Sequence, residues 1–190
     1  MFKNNKRHGY LIGLSAVVMA ISPMTFDGAA HAAEKGIKIG VLLPLSGRYA
    51  SAGQANKRGV DLVVEEVNRN GGIKALGGAK LDLVVADDAS DQVTTAQEAR
   101  RLIGQEQARF LIGPYATPEA EAAAPVAERS GVGMISTQAS FDGLFERNYK
   151  FFTSVSMTSS QFGESYAEFV DWLNEKHNAG IRTTALTFPN

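Results

Sequence analysis

Residues 37–53 read IKIGVLLPLSGRYASAG, and this stretch sets the expected fold. Its first seven residues are mostly aliphatic, which is typical of a buried strand, and Pro44 ends that strand. The polar segment that follows is predicted to be a loop up to Gly53. From Gln54 to Asn70 the apolar residues recur at helical spacing, with an inward face of Val60, Val63, Val64 and Val67. A strand, a loop and a helix in this order predict the first βα unit of a parallel sheet.

The same alternation continues along the rest of the chain. Further strands are predicted over 80–86, 110–113 and 132–135, from Phe151 onward, and over 183–188. Helices are predicted from Gln92 to about Gln105, from Thr117 to about Arg129, and from about Ser160 to Lys176. Asp91 and Thr117 are the expected N-caps, and Pro118 fits the first turn. This order predicts an α/β fold with a doubly wound parallel sheet and helices on both faces.

The first 32 residues have the pattern of a secretory signal peptide. Lys3, Lys6 and Arg7 make the start positive, and an apolar core follows over 10–21. Ala30-His31-Ala32 then provides the small side chains that a signal peptidase accepts. An uncleaved membrane anchor is the alternative, although this core is shorter than the ~20 residues that span a bilayer as a helix. We expect cleavage and export across the inner membrane.

The charge balance and the cysteine content exclude several classes of function. The 190 residues include 19 Lys and Arg against 20 Asp and Glu, a formal net charge of −1. Nucleic acids and anionic membranes attract basic proteins, so neither is expected to be the main partner. The chain has no Cys, which excludes disulfides, thiol nucleophiles and the lipid-bearing Cys of a bacterial lipoprotein. We therefore expect a periplasmic product with no stable membrane anchor after signal cleavage.

Sequence signatures of common enzymes are absent from the chain. It has no G-x-x-x-x-G-K-[ST] loop, no three-glycine dinucleotide motif and no G-x-S-x-G motif. Asp87, Asp88 and Asp91 leave one enzymatic alternative, a small hydrolase or phosphatase that uses Mg²⁺. Helix capping and loop solvation explain the same carboxylates without a metal. The leading expectation is a protein with no enzymatic activity, cofactor or metal.

Neutral polar and aromatic residues cluster in the loops after the first, third and fourth strands. In an open parallel sheet these loops gather at the carboxyl edge, where ligands bind. Hydroxyls, amides and rings beside a helix N-terminus suit a small zwitterion, whose carboxylate would accept bonds from backbone N–H groups and a hydroxyl. The candidate ligand-binding residues are Tyr49, Ser51, Tyr115, Thr117, Gln138 and Ser140.

Five motifs in order resemble those of a known protein family. They are IKIGVLLPLSG at 37–47, NGGI at 70–73, VADDASD at 85–91, LIGP at 111–114 and GMIS at 133–136. The chain resembles the type I periplasmic solute-binding proteins of ABC transporters, within the group that binds leucine, isoleucine and valine. The resemblance implies two α/β lobes, a branched-chain or related small amino acid in the cleft between them, and an ABC transporter permease as partner.

The resemblance also assigns roles to the candidate residues by position. Thr117 would bind the ligand carboxylate, Gln138 would offer its backbone carbonyl, and Ser140 would offer a hydroxyl. Tyr115 would line the pocket for the ligand's side chain. Family members often supply an aromatic residue from the first loop, and Tyr49 is the ring nearest to that place.

The family's length divides the chain into three expected parts. Residues 1–32 are the signal peptide, 33–155 the N-terminal ligand-binding lobe, and 156–190 the start of a truncated second lobe. The apolar face of helix 160–176 would then lack its normal burial, so we expect a mobile or aggregation-prone segment after about Ser156. A ligand sensor of the same fold, binding amides or other small polar solutes, is the alternative function.

Overall fold

The computed structural model describes residues 36–185, so the predicted signal peptide lies outside the described residues. The described strands are β1 (Ile37–Leu43), β2 (Leu81–Asp87), β3 (Phe110–Ile112), β4 (Gly133–Ser136) and β5 (Phe152–Ser154). The helices are α1 (Ala50–Arg69), α2 (Gln92–Gly104), α3 (Thr117–Ser130), α4 (Asp142–Phe145) and α5 (Ser159–His177), with a short 3₁₀ turn over Lys74–Leu76. Among these elements no helix has the length and hydropathy needed to cross a bilayer.

The five strands form one sheet in the order β2-β1-β3-β4-β5, and every neighbouring pair is parallel. Val41 at the centre of the sheet pairs with Val85 of β2 on one side and with Ile112 of β3 on the other. The predicted α/β class with a parallel sheet is confirmed. Strand order reverses between β1 and β3, because β2 is added on one side of β1 and all later strands on the other.

The core lies where the sheet meets α2 and α3. Val41, Leu42 and Leu43 of β1 are fully buried, and each large aliphatic side chain of this kind contributes about 1.5–3 kcal/mol to folding. The buried face of α3 consists mostly of alanines, whose small side chains let the helix pack closely. The core residues from α2, α3 and the neighbouring strands include Ala99, Leu102, Leu111, Ala120, Ala123, Ala124, Ala127 and Met134.

The start of α1 differs from the prediction. The helix begins at Ala50 rather than at Gln54, so the polar loop after β1 is shorter than expected. Its inward face is also narrower, since Val64 is buried while Val63 is 58% exposed. The helix packs against β1 and β2 at one end of the sheet, where few neighbours are available to cover it. Apolar spacing alone therefore overestimates how much of the helix is buried.

Of the two predicted N-caps, one is confirmed and one is wrong. The Asp91 carboxylate accepts the backbone N–H of Thr94 at 2.8 Å, as an N-cap of α2 does. In α3 the N-cap is Ala116, which makes no side-chain cap bond, and Thr117 is already the first helical residue. Pro118 lies in the first turn as expected. The Thr117 hydroxyl is thereby left for another partner.

The last helix is confirmed, but the strand expected after it is not. α5 begins with a capping box, in which Thr158 and Gln161 exchange side-chain and backbone bonds. Residues 183–185 have no regular secondary structure, and 186–188 lie outside the described residues. The chain instead folds back on α5, where the Asn174 amide bonds both backbone groups of Ile181. A sixth strand needs a strand beside it, and these residues lie against a helix.

Candidate functional site

The loops that follow β1, β3 and β4 meet at the carboxyl edge of the sheet, because all five strands run the same way. β1 and β3 are neighbours at the switch point, so the loops that leave them diverge and open a crevice. Gly113 ends β3 with φ +102°, and a Cβ there would clash with the carbonyl oxygen of Leu42. Glycine is required at this position because it lets the third loop pass close to the end of β1.

Two tyrosines face each other across this crevice. The rings of Tyr49, from the loop after β1, and Tyr115, from the loop after β3, have centroids 5.6 Å apart and are tilted by 53°. The guanidinium carbon of Arg48 lies 4.6 Å from the centroid of the Tyr49 ring, within cation–π distance. Both rings are half-buried. They form an aromatic surface at the switch point, and two of the six candidate residues are thereby brought together.

Thr117 and Ser140 form a second pair of candidate residues. The backbone N–H of Ser140 donates to the Thr117 hydroxyl oxygen at 3.1 Å, which joins the start of α3 to the loop after β4. A threonine hydroxyl has one hydrogen to donate and can accept at its oxygen. Since the oxygen here accepts, the hydroxyl hydrogen is free to donate to an anionic group.

The loop after β4 is attached to the segment that follows β5. The Gln138 side-chain amide donates to the Ser156 hydroxyl at 3.2 Å, and the Ser154 hydroxyl donates to the Ala139 carbonyl at 2.8 Å. The Ser140 carbonyl accepts both the N–H and the hydroxyl of Ser159, at 2.7 and 3.0 Å. The Gln138 side chain therefore has a structural partner, and the loop that carries Gln138 and Ser140 is coupled to the start of α5.

Ser136 and Thr137 are site residues that the sequence reasoning missed. The buried Ser136 hydroxyl donates to the Pro114 carbonyl at 2.9 Å and accepts the Ala139 N–H at 3.0 Å. The Thr137 N–H donates to the same carbonyl at 3.1 Å. The Thr137 hydroxyl oxygen is buried and has no partner in the described residues. Two consecutive hydroxyl residues at the end of an otherwise apolar strand were the available signal.

Asp87 and Ser90 organise the loop after β1 from the neighbouring turn. One Asp87 carboxylate oxygen accepts the N–H groups of Leu45 at 2.8 Å, Ser46 at 3.1 Å and Ala89 at 2.8 Å. Burial raises the pKa of Asp87, but the Ser46 hydroxyl and these N–H groups outweigh it and hold the pKa below its usual value. The Ser90 hydroxyl donates to the Ser46 carbonyl at 3.0 Å and accepts the Tyr49 N–H at 3.1 Å. These bonds fix the backbone that carries Tyr49.

Ser51 differs from the other candidate residues. It was expected in a loop, but it lies in the first turn of α1 and its side chain is exposed. Asp87 and Asp91, considered as metal ligands, are engaged in loop and cap bonds. Within residues 36–185 no three His, Asp or Glu side chains are grouped closely enough to hold a metal ion. A pocket of about 380 Å³ lies at the opposite edge of the sheet, beside Ala108, Arg109 and Gly131, away from all six candidates.

Comparison with known proteins agrees with this architecture. Residues 36–188 match the family model described as periplasmic binding protein. The Leu/Ile/Val-binding protein homolog 7 of Brucella abortus is 35% identical over 130 residues, which is 68% of this chain and 32% of that protein. The chain therefore spans about a third of the length of the curated relatives it matches.

Solved structures of substrate-binding proteins share the fold. The branched-chain amino acid transporter protein LivJ of Streptococcus pneumoniae, solved with isoleucine, has a TM-score of 0.64 and 29% identity, and covers 76% of this chain and 39% of its own. A solute-binding protein of an ABC transporter from Rhodopseudomonas palustris, solved with 3,4-dihydroxybenzoic acid, has a TM-score of 0.58 and 27% identity, with 65% and 32% covered. The chain belongs to the periplasmic binding protein family of ABC-transporter substrate-binding proteins.

Proposed function

We propose that the chain is the extracytoplasmic substrate-binding component of an ABC importer and that it binds a branched-chain or related small amino acid. The observation that carries the proposal is the Thr117–Ser140 pair beside the facing rings of Tyr49 and Tyr115. Polar and aromatic groups lie together at the switch point of the sheet. This arrangement suits a ligand with a carboxylate at one end and an apolar side chain at the other.

The Thr117 hydroxyl has the polarity that a ligand carboxylate needs. Its oxygen accepts the Ser140 N–H, so its hydrogen can donate to the carboxylate. Thr117 is the first residue of α3, and the N-terminus of a helix attracts anions. A hydrogen bond to a charged group contributes about 1.5–3 kcal/mol, while micromolar affinity requires about 8 kcal/mol. Thr117 therefore supplies one of several contacts that the ligand requires.

The two tyrosines would contact the remainder of the ligand. Isoleucine and 3,4-dihydroxybenzoic acid, named as ligands in the two solved relatives, both carry a carboxylate but differ in the attached group. A pair of tilted rings can pack against an aliphatic or an aromatic group. Aromatic acids are therefore the second ligand class to test, after amino acids.

The proposal extends to export, organisation and partner. Residues 1–32 would direct export to the periplasm and be removed, which leaves no stable membrane anchor. Residues 33–155 would form one wall of the cleft, and 156–190 would begin the second lobe. The ligand-loaded protein would deliver its ligand to an ABC transporter permease and would catalyse no reaction. The bonds from Gln138 and Ser140 to Ser156 and Ser159 support coupling between the ligand loop and the second lobe.

The test is a titration of the purified chain, followed by the amide signals of Thr117 and Ser140 in NMR spectra. Leucine, isoleucine, 4-hydroxybenzoate and acetamide form the panel. We expect the carboxylate ligands to shift both signals. The substitution Thr117→Val removes the hydroxyl while keeping the shape, and should weaken binding of these ligands at least about tenfold.

The matched control is Thr153→Val, which makes the same change at an exposed position in β5. Binding by this variant should equal that of the unmodified chain. Equal binding by Thr117→Val would reject the assigned role of Thr117. A response to acetamide alone would reject the carboxylate ligand class and favour a solute-binding protein or sensor for amides.

A further inference from the structure

Two buried acids lie behind the loops that would contact the ligand. Asp88 directly follows β2, and Glu119 is the third residue of α3. Their side chains come from neighbouring parts of the fold, since α2 and α3 pack against each other. Asp88 is 0% exposed and Glu119 is 4% exposed. Two carboxyl groups with almost no contact with water require an explanation.

Each of these acids has one oxygen without a hydrogen-bond partner. One Asp88 oxygen accepts the N–H of Ser90 at 2.8 Å, but its Oδ2 accepts nothing from residues 36–185. The Oε2 atom of Glu119 is in the same condition. No Lys, Arg or His of the described residues forms an ion pair with either acid. Two ionised carboxylates would therefore be buried without neutralisation, which is strongly unfavourable.

The charges around Asp88 all act in one direction. Burial is the largest influence and raises the pKa of Asp88 to about 6, although the Ser90 N–H opposes it. Glu119 from α3 and Asp87 from the same turn are the charged groups that act on Asp88, and both repel a negative charge. A proton is the simplest group that relieves this repulsion, because a protonated carboxyl becomes a donor and can satisfy a carboxylate oxygen.

We propose that Asp88 and Glu119 form a proton-binding site that holds one proton between them and positions the two sides of the ligand crevice. Glu119 lies in the first turn of α3, two residues after Thr117. Asp88 lies between Asp87 and Ser90, the residues that fix the loop after β1. Loss of the proton pushes the β2–α2 turn and the start of α3 apart, so the protonation state is coupled to the geometry of the crevice.

The site is tested without any ligand, by measuring unfolding of the purified chain as a function of pH. An acid whose pKa is raised in the folded state favours folding below its unfolded pKa and loses that benefit as pH rises. The unfolding equilibrium constant should therefore increase roughly 100-fold between pH 4 and pH 6.5, the range between the two pKa values. The neutral, similarly shaped variants Glu119→Gln and Asp88→Asn should each lose most of this dependence.

Glu65→Gln is the control, since Glu65 is exposed on α1 and the same chemical change there should leave the pH dependence intact. If Glu119→Gln retains the full dependence, the two acids do not share a proton and the proposal is overturned. Carbon-13 titration of the unmodified chain gives a reading that does not require a stable variant. One of the two carboxyl signals should titrate near pH 6, and titration of both below pH 5 would also overturn the proposal.

Discussion

Helices α3 and α5 show opposite relations between side-chain hydrophobicity and burial. α3 carries mostly alanines, yet six of its residues are buried, Glu119 among them. α5 carries much larger apolar side chains and has no buried residue. Its exposed aromatic residues are Phe162, Tyr166, Phe169 and Trp172, each about half exposed. Phe169 and Trp172 stack on each other with centroids 5.9 Å apart.

The difference arises from what each helix contacts. α3 packs against α2, β4 and β5, so even small side chains are covered. α5 is joined to the rest of the fold through its first turn, where Ser159 and Ser160 bond the loop after β4. Hydrophobic side chains favour burial, but a helix is buried only where another surface is available to cover it. In residues 36–185 the first lobe provides such a surface for α3 and not for α5.

Amide hydrogen exchange should show the largest difference between the two helices. Amides in β1 and β3 should exchange only through global unfolding, whereas those of α5 should exchange through local opening. We expect protection in the strands to exceed that of α5 by at least ~10³-fold, which corresponds to about 4 kcal/mol. Equal protection over 160–177 and 37–43 would show that α5 is covered in solution and would remove the comparison.

Truncation of one large side chain in each region should separate them further. Leu111→Ala removes a fully buried side chain of β3 and should lower the free energy of unfolding by about 2–5 kcal/mol. Phe169→Ala removes a larger but half-exposed side chain, and should change it by less than about 0.5 kcal/mol. Urea denaturation of both variants measures the two values. Similar losses would mean that the exposed face of α5 stabilises the fold.

The smallest expected effect concerns the start of α5. Thr158→Ala removes the capping box and should destabilise the helix by about 1 kcal/mol. Because α5 contributes little to the core, the loss should appear as reduced helicity and faster exchange in 159–177, with the urea midpoint of the lobe unchanged. A shifted midpoint would show instead that α5 and the lobe unfold together. Asp91→Ala, which removes the cap of the packed helix α2, should shift that midpoint.

Most elements could be predicted because their signals are local. Strand β1 and its loop, the Asp91 cap and the extent of α5 all follow from the spacing and type of nearby residues. The errors occurred where local signals have two solutions. Thr117 and Ala116 can both precede a helix, and the alternating residues after Thr183 can form a strand only if another strand lies beside them. The first turn of α1 was missed because Ser51 and its small neighbours also fit a loop.

The candidate site was predictable as a set of loops but not as a set of contacts. Parallel strands place Tyr49, Tyr115, Thr117 and Ser140 at one edge, whatever the order of the strands. Only the placement of β3 beside β1 brings the two tyrosines within 5.6 Å, and only the path of the loop after β4 gives Thr117 a partner. The six assigned ligand roles remain predictions, and the titration of Thr117→Val tests the first of them.

Local chemistry along the chain thus determined the type and order of the elements, the export pattern at its start and the neutral character of the loops. Tertiary packing decided the strand order, the isolation of Asp88 and Glu119 from water, and the exposure of the aromatic residues of α5. The reason is that propensity, capping and hydrophobic spacing act over a few residues. Burial and electrostatic coupling depend on which distant segment lies opposite, and a residue's own neighbours in sequence carry little information about that segment.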